Sequence, residues 1–148
     1  MIQFKPLTIA DIETIVTMMQ EFYAIDNYPI DIVVSKALFE EFIKHENLGK
    51  SWLIVSDNEL IGYIILTFVF SFEYHGKIAF LDELYLTEKV RGKGIGGKTL
   101  EFIQSESHKL SLKLIYLEVE KHNEKAQKLY LTQGFELHNR KLMKYRIR

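Results

Sequence analysis

The stretch Leu81–Leu100, LDELYLTEKVRGKGIGGKTL, decides how the rest of the chain is read. An apolar run ends at Leu86 and a short basic turn follows. Four glycines come next, at Gly92, Gly94, Gly96 and Gly97, and an amphipathic run carrying Leu100, Phe102, Ile103 and Leu110 begins directly behind them. That order predicts a strand, a glycine loop and a helix. Glycine lets backbone N–H groups turn inward and approach a ligand closely. The helix start adds unpaired N–H groups and a partial positive charge. Together they make an anion site, most often one for phosphate. Arg91, Lys93 and Lys98 strengthen it.

The loop fits three patterns at once. Gly92, Gly94 and Gly97 satisfy the dinucleotide fingerprint G-x-G-x-x-G, with Glu118 beyond as a ribose partner. Gly92 to Thr99 satisfy the P-loop pattern G-x-x-x-x-G-K-T. Arg91, Gly94 and Gly96 satisfy R-x-x-G-x-G, and in this the stretch resembles the acetyl-coenzyme A loop of the GNAT N-acetyltransferase superfamily. The remainder of the chain must choose among them.

With 148 residues the chain is long enough for one domain with a real core. A hydrophobic content of 47% with 26% charged residues is ordinary for a globular protein. The formal net charge of −1 argues against a nucleic-acid partner. Cysteine is absent, which excludes disulfides, thiolate metal sites and cysteine catalysis. His45, His75, His108, His122 and His138 show no metal spacing, so no metal is expected. No signal peptide or membrane-length apolar run appears, and a cytoplasmic protein without a membrane partner is the default expectation. No linker divides the sequence, so residues 1–148 are expected to form a single domain.

Ile2 and Phe4 alternate with polar neighbours as in a short strand. Thr8, with Asp11 three residues on, caps a helix carrying Ile12, Ile15, Val16, Met19, Phe22 and Tyr23. Asp26, Asn27 and Pro29 break it, and a second helix starts near Asp31. Ser51–Ser56 and Leu60–Tyr74 read as strands joined by an Asp57-Asn58 turn, with His75-Gly76 turning into the strand Ile78–Leu86. Beyond the glycine helix, Leu114–Glu120 reads as a strand. Asn123 caps a helix ending near Gln133, with Gly134 at its C-cap. Phe135–His138 and Leu142–Ile147 read as two last strands. The expected fold is α/β, a mixed and largely antiparallel twisted sheet of about seven strands with about four helices, in the order β-α-α-β-β-β-α-β-α-β-β.

That order disfavours two of the patterns. A P-loop follows its strand almost at once, whereas Thr87–Arg91 intervene here, and too few residues remain after Thr99 for several more βα units. The dinucleotide fold repeats βα units from its first strand, whereas hairpins precede this loop. The third pattern has a second motif downstream. Asn123, Ala126, Tyr130, Gly134 and Phe135 match N-x-x-A-x-x-x-Y-x-x-x-G-F. With both motifs at consistent spacing over residues 78–135, the chain resembles the GNAT superfamily of N-acetyltransferases. The first third is similar only in layout.

The resemblance implies acetyl transfer from acetyl-coenzyme A to a primary amine by direct attack in a ternary complex. It implies that the pyrophosphate lies on the backbone of Arg91, Gly92, Lys93, Gly94, Ile95, Gly96 and Gly97. The pantetheine arm would add like a strand to Leu84, Tyr85 and Leu86, in a slot splayed open against Leu114–Glu120. Asn123 would touch the cofactor and Tyr130 would protonate the departing thiolate. A phenol with a pKa near 10 is protonated at neutral pH and can donate. Without the motif, Tyr130 reads as a packed helix aromatic. The base candidates are Asp82, Glu83, Glu118 and Glu120. Strand alternation puts Asp82 and Glu83 on opposite sides. Asp82 takes the place of a substrate-contacting carboxylate in the similar segment of diamine acetyltransferases, as Asp where they carry Glu. Glu83 would act through water. A small cationic amine is therefore the expected acceptor. The alternatives are a protein or peptide N-acetyltransferase and a coenzyme A-binding domain without turnover. Leu60–Tyr74 could pair sheets into a homodimer.

Overall fold

A computed structural model describes all residues, Met1–Arg148. The chain divides into two compact units, residues 1–118 and 119–148.

The first unit is built on a five-stranded sheet in sequence order: β1 (Ile2–Pro6), β2 (Gly49–Ser56), β3 (Glu59–Ser71), β4 (Gly76–Leu86) and β5 (Ile115–Leu117). Every pairing is antiparallel except β4 with β5. β2 and β3 are joined by a tight hairpin because Asp57 and Asn58 both accept positive φ, 50° and 63°. Such a turn matches the natural twist of the strands it joins.

Before α1 (Ile12–Ile25) comes a 3₁₀ turn over Ile9–Asp11. It is held by the Thr8 backbone N–H and hydroxyl donating to the Asp11 carboxylate. α2 (Ile32–Lys44) starts where the Asp31 carboxylate accepts from the Val34 N–H. α1 and α2 bury Ile15, Val16, Met19 and Phe39 against Leu53, Tyr63, Ile65 and Tyr85 on one face of the sheet. α3 (Ile95–Lys109) takes the other face, where Phe102 stacks on Phe4 at 4.1 Å between ring centroids and meets the edge of Trp52. The split follows from the strand period of two: Trp52 and Leu53 are neighbours and point opposite ways.

The second unit contains α4 (Glu124–Thr132). Asn123 caps it, its side chain accepting from the Ala126 N–H. At the other end Gly134 adopts φ 95°, and the Phe135 N–H reaches back to the Tyr130 carbonyl. That is the glycine-terminated wrap expected there.

The sheet departs from expectation in two places. It has five strands rather than about seven, because Phe135–His138 and Leu142–Ile147 form no ladder, and the element order ends at α4. Alternating polarity records a preference for a half-buried face, not the presence of a partner edge. Leu142, Met143, Tyr145 and Ile147 are all exposed. β5 is also shorter than the expected Leu114–Glu120, and its cause lies in β4.

Candidate active site

β4 pairs with β3 along nearly its whole length but with β5 only at Ala79, Phe80 and Leu81. Beyond Leu81 that edge of β4 has no strand beside it. The parting coincides with a bulge. Leu66 faces Leu81 and Ile65 faces Glu83, so Asp82 is one residue too many. A bulge bends its strand and adds local twist. β4 therefore turns away from β5, and β5 stops at Leu117 for want of a partner. Leu84, Tyr85 and Leu86, the residues expected to line a slot, lie on this open stretch. Glu118 and Glu120, expected on a flanking strand, lie beyond β5.

The bulge also removes the premise that Asp82 and Glu83 alternate across the sheet. Asp82 is exposed, yet the protein crowded around its carboxyl raises its pKa by desolvation. Its charge is felt by both Glu83 and Tyr23. Glu83 is half-buried and accepts from Tyr23 and Tyr63, each hydroxyl 2.7 Å from a carboxylate oxygen. Burial pushes the Glu83 carboxyl up, the two phenols pull it back, and Asp82 adds a smaller push upward. Sequence reasoning places neither tyrosine beside Glu83. The available signal was Tyr63, a phenol inside the apolar run Leu60–Phe70, because a buried hydroxyl needs a partner.

Past Leu86 the chain makes a 3₁₀ turn over Glu88–Val90 and enters the glycine loop. Gly92 and Gly94 both hold φ at 77°, and a side-chain carbon at either would project into open space. Gly94 is the N-cap of α3, so Ile95, Gly96 and Gly97 form its first turn. The Lys98 N–H bonds the Gly94 carbonyl at 3.3 Å, which begins the helical ladder. The N–H groups of the first turn have no such intrahelical partner. Lys93 is exposed between the two left-handed glycines. Arg91 also turns back toward β4. Its Nε–H donates to the Leu86 carbonyl at 3.0 Å, and its guanidinium lies 6.0 Å from the Tyr85 ring centroid. It braces the end of β4.

A cavity of about 580 Å³ adjoins this corner, lined by Glu21, Ile25, Tyr85, Thr87, Glu88, Lys89 and Arg91. Glu21 accepts from the Tyr85 hydroxyl at 3.2 Å. The buried Thr87 hydroxyl has no hydrogen-bond partner. In the second unit, Tyr130 is half-buried, with its ring 5.7 Å from that of Phe135, and burial raises its pKa. Asn123 spends its carbonyl oxygen on the α4 cap.

A strand edge laid open by a bulge runs into a glycine-turned helix start with the half-buried Glu83 carboxylate alongside, an arrangement able to take an extended arm that ends in a phosphate. Residues 15–135 match the acetyltransferase (GNAT) family, and the chain belongs to that family of N-acetyltransferases. It is 34% identical over 100 residues to an uncharacterized N-acetyltransferase of Bacillus subtilis, YhfO, covering 66% of this chain and 67% of that protein. It is 35% identical over 54 residues to the D-amino-acid N-acetyltransferase HPA3 of Saccharomyces cerevisiae, covering 36% of this chain and only 34% of the yeast protein's length. The fold is similar to that of an integron cassette protein, HFX_CASS3, from the mobile metagenome of Cole Harbour Salt Marsh. The TM-score is 0.88 at 28% identity, over 99% of this chain and 91% of the other. No helix is long and apolar enough to cross a membrane.

Proposed function

We propose that this chain transfers an acetyl group from acetyl-coenzyme A to the primary amine of a small cationic molecule, by direct attack in a ternary complex. The observation that carries this reading is the open edge of β4 leading from the Glu83 carboxylate into the loop at Gly92 and Gly94. The backbone from Arg91 to Gly97 would hold the pyrophosphate on its N–H groups. Leu84, Tyr85 and Leu86 would take the pantetheine arm as an added strand, and a backbone N–H near Leu84 would donate to the thioester carbonyl as charge develops on it. Glu83 removes the ammonium proton, directly or through water. The freed lone pair forms the N–C bond as the C–S bond breaks, and Tyr130 protonates the leaving thiolate. The second proton, shed by the new amide nitrogen, restores the Tyr130 phenol, and the proton on Glu83 passes to water. Asn123 contributes a cofactor contact through its side-chain nitrogen. Asp82 favours a cationic acceptor, with Glu21 and Glu88 on the neighbouring cavity wall. The same wall carries Lys89, paired with Glu59, and Arg91, so basic amino acids stay among the candidate amines.

The test is a panel of diamines, polyamines, D- and L-amino acids and peptides, read by release of free thiol from acetyl-coenzyme A. Turnover of small cationic amines, with a KM raised by Asp82→Asn, is the expected result. Turnover of peptides alone, or of neutral amines alone, would overturn the acceptor class. Tyr130→Phe should lower kcat by about 10²–10⁴-fold with little change in acetyl-coenzyme A affinity, because the lost phenol acts in the transition state.

A further inference from the structure

Glu83 stands at the point where β4 leaves β5, and two elements distant in sequence converge on it. Tyr23, from α1, donates to one carboxylate oxygen and Tyr63, from β3, donates to the other. Tyr63 is 0% exposed, so no substrate can reach it. Its ring packs in the cluster with Ile15, Met19 and Leu53, where phenylalanine would serve the packing equally well. The hydroxyl has no other hydrogen-bond partner than Glu83. None of the ion pairs in the structure includes Glu83. The ionisable groups that act on it are Tyr23 from α1, Tyr63 from β3 and Asp82 from β4, whereas Tyr85 pairs with Glu21 and faces Arg91. A half-buried carboxylate beside a second carboxylate and lacking a cation would ordinarily take up a proton. Two donors, one on each oxygen, oppose that and fix the plane of the group.

We propose that Tyr63 and Tyr23 are positioning residues for acetyl transfer, a two-phenol clamp that holds Glu83 as the carboxylate in a single orientation, ready to accept the proton of the incoming ammonium. The proposal rests on reading Glu83 as the base. In the step it serves, one ammonium proton passes to Glu83, which becomes the carboxylic acid, and the amine nitrogen keeps the electron pair that attacks the thioester.

The clamp can be tested without any acceptor. Protein labelled with ¹³C at the glutamate carboxyls is titrated with acid, and the Glu83 signal is assigned by its absence in Glu83→Gln. In Tyr63→Phe and in Tyr23→Phe the Glu83 midpoint should rise, in each by on the order of one pH unit, because each variant deletes a hydrogen bond to the charged form. The acid-side inflection of kcat, measured with the fastest amine of the panel, should rise in step. Tyr23 is only half-buried, so Tyr23→Phe keeps the test available if Tyr63→Phe fails to fold. An unmoved Glu83 midpoint in a folded variant would overturn the clamp. A moved midpoint with an unmoved kcat inflection would overturn its role in the reaction. Full activity in Glu83→Gln would instead overturn Glu83 as the base, whatever the titrations show.

Discussion

Gly94 and Gly96 look alike in the sequence and do different things. Gly94 holds φ at 77° as the cap of α3, whereas Gly96 has ordinary helical backbone in the first turn. The space around a Gly94 side chain is empty, so any penalty there comes from the backbone itself. A branched residue in a left-handed conformation costs about 1–2 kcal/mol. Gly94→Val should therefore lower stability by that amount and weaken acetyl-coenzyme A binding as well. Gly96→Ala should keep or slightly raise stability, since alanine suits a helix better than glycine, while still weakening binding through the crowded N–H groups. Denaturant melts paired with calorimetric titration of acetyl-coenzyme A separate the two. Affinity unchanged from the parent in both folded variants would mean that the loop serves only to turn the chain. Glycine identity is visible in a sequence, but which glycine carries the unusual φ is not. The same holds for Glu83, which stands out as a charge in an apolar strand while its tyrosine partners lie 60 and 20 residues away.

Among the elements, β4 does the most. Its end at Leu86 and the helix it feeds are legible from LDELYL and the glycines that follow, whereas its start, expected at Ile78, lies at Gly76. Its bulge is not legible, because a bulge is a property of two strands in register, and the register is set by the pairing rather than by either sequence. The same limit misled the reading of the chain's end, where alternation at Leu142–Ile147 suggested a strand that has no partner. Gly62 shows the opposite case, a sequence feature whose meaning appears only with its neighbour. A carbon placed on it would fall 2.0 Å from the Tyr85 carbonyl oxygen and 3.1 Å from the Leu86 side chain. Both lie on the open part of β4. Gly62→Ala should push β4 off β3 at that end, at a cost of about 1–3 kcal/mol as in other overpacked sites. It should loosen acetyl-coenzyme A binding in the same protein. A variant as stable as the parent in urea would mean that the two backbones have room to spare.

At the scale of the whole molecule, Glu83 and Asp82 should contribute to stability in a direction opposite to the usual acid unfolding. Glu83 and Asp82 both have carboxyls raised above their ordinary values in the folded state. Between the ordinary and the raised value the folded chain binds more protons than the unfolded one. Their contribution to stability is then complete below the ordinary carboxylate range and is lost as pH rises through the folded values. Melting temperature followed upward from about pH 4 should show this decline, and it should shrink in Glu83→Gln and in Asp82→Asn, where nothing remains to ionise. A decline of the same size in both variants would trace it to other groups. The parted strands have a separate consequence for the free protein. An unpaired run of strand is a template on which another chain can add, and this one carries charge only at Asp82 and Glu83, leaving Leu84 to Leu86 without any. A bound cosubstrate that occupies the same edge would also act as its guard, so that a cell starved of acetyl-coenzyme A would hold this protein in its most aggregation-prone form.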